Sequence, residues 1–118
     1  MKRVMVVDGH ERIRELLTEL LAGEPGLEVV ASAATGADAT ELAEQLQPDV
    51  VVVDPEMLGT DGTEAARRIL SSDPQPHVLV LTAAPHGMLA AQILAAGART
   101  CLAKSVAYTA IVKAIRSG

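Results

Sequence analysis

The sequence predicts an α/β fold, a doubly wound parallel sheet with helices on both faces, and three observations carry that reading. Short apolar runs recur along the 118 residues: VMVV at 4–7, LEVVA at 27–31, VVVV at 50–53, VLVLT at 78–82 and TCLA at 100–103. They are rich in β-branched residues and do not alternate cleanly, as strands buried on both faces do not. Between them lie segments with three-four apolar spacing, so strand and helix alternate to the end of the chain. Crossovers of this length between parallel strands are right-handed and place helices on both sides of the sheet.

The elements follow in order. VMVV opens into Asp8, Gly9 and His10, after which Ile13, Leu16, Leu17, Leu20 and Leu21 form one helical apolar stripe. Gly23, Pro25 and Gly26 end that helix before LEVVA. Ala39, Leu42, Ala43 and Leu46 repeat the spacing, and Pro48 closes it. VVVV then delivers Asp54 to its end. Ala65, Ala66, Ile69 and Leu70 make a third helix, followed by the breaker stretch SSDPQP. VLVLT finishes on Thr82. Met88 to Ala96 makes an alanine-rich fourth helix with Gly97 as its carboxy-terminal cap. TCLA leads to Lys104, and Ser105 is placed to cap a fifth helix in which Ala107, Ala110, Ile111 and Ala114 share a face.

Length and composition suit one domain filling residues 1–118, with no low-complexity linker and no repeat beyond the strand–helix unit. A chain that is 49% hydrophobic and 21% charged is neither disordered nor fibrous. The formal net charge of -5 gives no basis for binding a phosphate backbone, and a single tyrosine is the only aromatic residue for stacking on bases. One cysteine, Cys101, excludes an intrachain disulfide and fits a reducing compartment. The first apolar run is too short for a signal peptide or membrane span, so a cytoplasmic location is expected.

In an open α/β sheet, sites form at the carboxyl ends of the strands. Asp8, Asp54, Thr82 and Lys104 all fall there, on different strands. Each has an ordinary alternative role: Asp8 as a helix-capping group, Asp54 as a loop carboxylate, Lys104 as a solvated cation, Thr82 as a β-branched strand residue. Their shared topological position is what singles them out. An aspartate can act as a nucleophile toward a phosphoryl group, and the transferring group needs a cation and hydrogen-bond donors. Asp8 and Asp54 suit Mg²⁺, a hard cation that takes oxygen ligands, while Lys104 supplies positive charge and Thr82 a hydroxyl.

At these residues the sequence resembles the receiver domain of bacterial two-component response regulators. DPEMLGTDG at 54–62 is similar to the family's phosphoacceptor segment, and VVDGHERIRELL at 6–17 to its opening in the branch that precedes helix-turn-helix output domains. VLVLTA at 78–83 and AGARTCLAKS at 96–105 match the threonine and lysine segments. The resemblance implies a flavodoxin-like sheet of order 2-1-3-4-5. It implies Asp54 as phosphoacceptor, a Mg²⁺ site of Asp8, Asp54 and the backbone carbonyl of Glu56, and Thr82 and Lys104 contacting the phosphoryl group. Positions 82 and 101 would form the switch. A sensor histidine kinase and an output domain or target protein would be the partners. The apolar helix surfaces add the expectation of a weak homodimer, through the fourth helix, fifth strand and fifth helix, or through the first helix with the fifth. Any catalysis would be Mg²⁺-dependent self-phosphorylation and autodephosphorylation. With no helix-turn-helix after the fifth helix, this segment is not expected to bind DNA or a membrane.

The sequence departs from that pattern at three places. The family carries two adjacent acidic residues after the first strand, and here the second is Gly9, which removes an oxygen ligand and a charge together. Mg²⁺ dehydrates reluctantly, so weak or no binding is expected. His10 is a poor substitute for a hard cation, whereas the Glu56 side chain is long enough to approach the rim. Cys101 stands where an aromatic residue is usual and reads as a small buried hydrophobe on an internal strand. Leu58 replaces a usual proline, and Pro55 restrains the backbone nearby. Two functions follow. Asp54, Thr82 and Lys104 favour a phosphoacceptor, whereas Gly9 and Cys101 favour a phosphorylation-independent interaction or dimerisation module. A nucleotide-binding protein is disfavoured, because neither GxGxxG after the first strand nor a GKT or GKS motif is present.

Overall fold

The computed structural model describes residues 1–56 and 62–117. Strands β1 (Lys2–Val7), β2 (Leu27–Ala33), β3 (Val50–Val53), β4 (His77–Thr82) and β5 (Thr100–Ala103) alternate with helices α1 (Glu11–Ala22), α2 (Gly36–Leu46), α3 (Gly62–Leu70), α4 (Met88–Ala96) and α5 (Tyr108–Arg116). The strands form one parallel sheet of order β2-β1-β3-β4-β5. Leu58, one of the departures noted above, lies outside the described residues.

Period-two alternation of strand side chains divides the core into two layers. Val4 and Val6 of β1, Val50 and Val52 of β3, and Leu79 and Leu81 of β4 point to one face, where Leu17 and Leu21 of α1 and Ile111, Val112 and Ile115 of α5 cover them. Met5, Val7, Val51, Val53, Val78 and Val80 point to the other, under α2, α3 and α4. The central strands β3 and β4 are buried along their whole length, as continuous apolar runs require.

Several details differ from the sequence expectations. The stripe of α1 is split: Leu17 and Leu21 are buried, while Leu16 and Leu20 face solvent. A helix lying on a sheet covers only part of its circumference, and five apolar residues make a wider arc than the sheet can take. Ser105 does not cap α5. A turn closed by Val106 N–H donating to the Ala103 carbonyl (3.0 Å) delays the helix, and Ala107 becomes its cap without a side-chain hydrogen bond. The buried face of α5 is accordingly Ile111, Val112 and Ile115, rather than a face that includes Ala107. β5 is an edge strand, so Cys101 is half-buried rather than enclosed on an internal strand. Its Sγ lies 3.7 Å from the Pro85 carbonyl, and burial pushes the thiol pKa up, which disfavours the reactive thiolate.

Candidate functional site

Strand register assembles the site. Val7 of β1 pairs with Val53 of β3, so Asp8 and Asp54 leave the sheet at neighbouring positions. Asp54 N–H donates to the Val7 carbonyl (2.9 Å), and Asp8 N–H to the Ala33 carbonyl (3.0 Å). Thr82 pairs with Ala103, and Lys104 N–H donates to the Thr82 carbonyl (2.9 Å). The site therefore lies where chain progression reverses, with β2 on one side of β1 and β3 on the other.

Asp8, Asp54 and Thr82 are buried, and Lys104 bridges the two carboxylates. Its Nζ lies 2.9 Å from Asp8 Oδ2 and 2.5 Å from Asp54 Oδ2. Burial works against the ammonium charge. The hydrogen bonds to Asp54 and Asp8, with the charges of both, outweigh it and hold the Lys104 pKa above the ordinary lysine value. The remaining carboxylate oxygens are occupied by the backbone: His10 N–H donates to Asp8 Oδ1 (2.8 Å) and Glu56 N–H to Asp54 Oδ1 (3.0 Å).

Asp8 is thus not the cap of α1. That role falls to His10, whose Nδ1 accepts from Ile13 N–H at 3.4 Å. Two participants were not assigned from sequence. Arg14 Nη1 donates to the Asp8 carbonyl (2.9 Å), tying the β1–α1 loop to the helix. The Glu56 side chain reaches β4, where Thr82 Oγ1 donates to Glu56 Oε2 (3.2 Å) and accepts from Ala84 N–H (3.1 Å). Arg14 carries no motif-level signal. The length of the Glu56 side chain was the only sequence hint of its reach.

A Mg²⁺ ion at this rim would have to displace the Lys104 ammonium from the two carboxylates. Every oxygen of Asp8 and Asp54 already has a partner, the Lys104 ammonium stands between the two groups, and Gly9 offers no side chain. Among the described residues, no group of three or more His, Cys, Asp and Glu is placed to hold a metal ion. No described helix is long and apolar enough to cross a membrane.

Fold and rim together define a small doubly wound domain with a buried carboxylate–lysine cluster at its switch point. The chain belongs to the response regulator receiver domain family, whose profile matches residues 4–116. It is 39% identical over 116 residues to the response regulator GacA of Pseudomonas aeruginosa, covering 98% of this chain and 54% of that protein. It is 35% identical over 117 residues to the transcriptional regulatory protein LiaR of Bacillus subtilis, covering 99% of this chain and 56% of that one. The chain thus spans about half the length of these curated relatives. Among solved structures it resembles the receiver domain of the response regulator NarL from Mycobacterium tuberculosis, with TM-score 0.87 and 34% identity over 98% of this chain and 94% of that one. A general role as a signal-transduction receiver follows from that membership.

Proposed function

We propose that this chain is a receiver domain over residues 1–118 that accepts a phosphoryl group on Asp54 from a sensor histidine kinase. The observation that carries the reading is the Lys104 ammonium 2.5 Å from the Asp54 carboxylate, at the carboxyl edge of a receiver fold. In the transfer an Asp54 oxygen attacks phosphorus, the phosphorus–nitrogen bond of the kinase phosphohistidine breaks, and the imidazole leaves with the electron pair. With a small acyl phosphate donor, the bond to the acyl oxygen breaks instead and the carboxylate leaves. Lys104 offsets the charge of the incoming group, and the Thr82 hydroxyl is the nearby donor for a phosphoryl oxygen.

The partners that follow are the kinase, an output domain or target protein that reads the changed surface, and a second copy of the chain. The similarity to LiaR, a transcriptional regulatory protein, supports the reading that this receiver belongs to the branch that precedes helix-turn-helix output domains. The closed Asp8–Lys104–Asp54 cluster and Gly9 favour a second reading, an interaction module that works without phosphorylation.

One experiment separates the two. Incubation with acetyl phosphate and Mg²⁺, followed by intact mass measurement, is expected to give one base-labile phosphoryl adduct that Asp54→Ala abolishes. An unmodified parent after prolonged incubation, with a cognate kinase as well, would leave the second reading standing.

A further inference from the structure

Thr82 is fully buried, so its hydroxyl has no bulk water to turn to, and it carries a single proton. That proton is given to Glu56 Oε2 (3.2 Å), while Ala84 N–H fills the acceptor side (3.1 Å). Glu56 is in turn tied to the acceptor residue, since its N–H donates to Asp54 Oδ1 (3.0 Å). One residue therefore holds both the backbone side of Asp54 and the only proton Thr82 can offer.

A phosphoryl group on Asp54 disturbs this arrangement twice. It adds negative charge beside the Glu56 carboxylate, and it calls for the Thr82 proton that Glu56 already holds. From this we infer that the Glu56 side chain is a latch, a positioning residue that holds the Thr82 hydroxyl away from Asp54 and must release it before the phosphorylated state can form. The inference rests on the reading of Asp54 as phosphoacceptor. Phosphorylation and the latched state exclude each other, so each disfavours the other by the same factor. Glu56 is exposed at the rim, so release costs no core packing.

The test is a double-mutant cycle read by phosphorylation rate, with acetyl phosphate as donor and intact mass as the measure. Glu56→Ala is expected to accelerate adduct formation about tenfold, in line with loss of one hydrogen bond to a charged group. Thr82→Val keeps the side-chain shape and removes the hydroxyl, so in that background Glu56→Ala is expected to give a clearly smaller acceleration, the part due to charge alone. An equal acceleration with and without the Thr82 hydroxyl would overturn the latch, because Glu56 would then act through its charge on Asp54 alone. An unchanged rate in Glu56→Ala would overturn it as well. The Thr82 methyl resonance in the unphosphorylated chain gives a second readout, expected to move in Glu56→Ala. If no variant is phosphorylated, the Asp54 reading fails on its own and this resonance decides the latch: displacement supports it and an unmoved signal overturns it.

Discussion

At position 9 a hydrogen atom stands where a carboxylate would add an oxygen ligand and a negative charge. The glycines with left-handed φ among the described residues are Gly26 (φ 80°) and Gly97 (φ 127°), so backbone conformation does not reserve position 9 for glycine. Gly9→Asp is therefore expected to fold and to tighten Mg²⁺ binding by about tenfold, or about 1.4 kcal/mol. Titration calorimetry on parent and variant checks this, and tight binding by the parent with no gain in the variant would mean that another group supplies the missing ligand. Asp8, Asp54, Thr82 and Lys104 were legible in the sequence because each directly follows or ends a short apolar run, and strand register does the rest. The Glu56 contact was not, since a side chain in a loop carries no periodicity. Nor was the His10 cap, because Asp8 is the better capping type two residues earlier and only the structure shows where the helix starts.

Helices expose what their neighbours cannot cover, and this decides where a second copy would bind. Ile93 of α4 and Ile111 of α5 are 0% and 5% exposed and belong to the two core layers. Substituting aspartate there would test folding rather than association. The large exposed apolar residues of α4 are Met88 and Leu94, six positions apart and so about 120° from one another around the helix. On α1, Leu16 and Leu20 are 56% and 41% exposed and only four positions apart, a contiguous patch. Arg12 and Glu19 are exposed on the same side, so an antiparallel pairing of two α1 helices centred on Leu16 would bring each Arg12 toward the Glu19 of the other copy. A weak homodimer through α1 is the expectation, with an interface at the small end of the specific range, below about 1,200 Å². In analytical ultracentrifugation over a wide concentration range, Leu16→Glu should abolish association and Met88→Glu should leave it intact. A monomer at every concentration would exclude the dimer, and the reverse pattern would move it to α4. The broad leucine stripe of α1 was legible in the sequence, but its division into buried and exposed halves depends on the angle at which the helix meets the sheet.

Across the whole molecule, the two edges of the sheet carry opposite kinds of polar group, and stability follows from both. Sequence alternation showed five strand–helix units, but all-valine runs have no polar face, so the side taken by each helix became visible only in the folded core. At the amino-terminal edge, His77 opens β4. It is buried, and neither imidazole nitrogen has a hydrogen-bond partner among the described residues. Its backbone N–H donates to the Asp49 carbonyl (2.9 Å), which fixes the residue in place without satisfying the ring. Burial, then the charges of Arg99 and Lys2, push the His77 pKa below its ordinary value of 6.5. The sign follows directly. As pH falls below about 6.5 the unfolded chain takes up a proton that the folded chain refuses, so the stability present above that value is lost as pH drops toward the lowered folded value. The loss from one such group is at most about 1.4 kcal/mol per pH unit. His77→Leu removes the titrating ring and fills the same apolar space. Urea unfolding at pH 7.5 and 5.5 should therefore show a smaller acid-induced fall in midpoint for His77→Leu than for the parent. An equal fall in both proteins would mean that the acid sensitivity does not arise from His77.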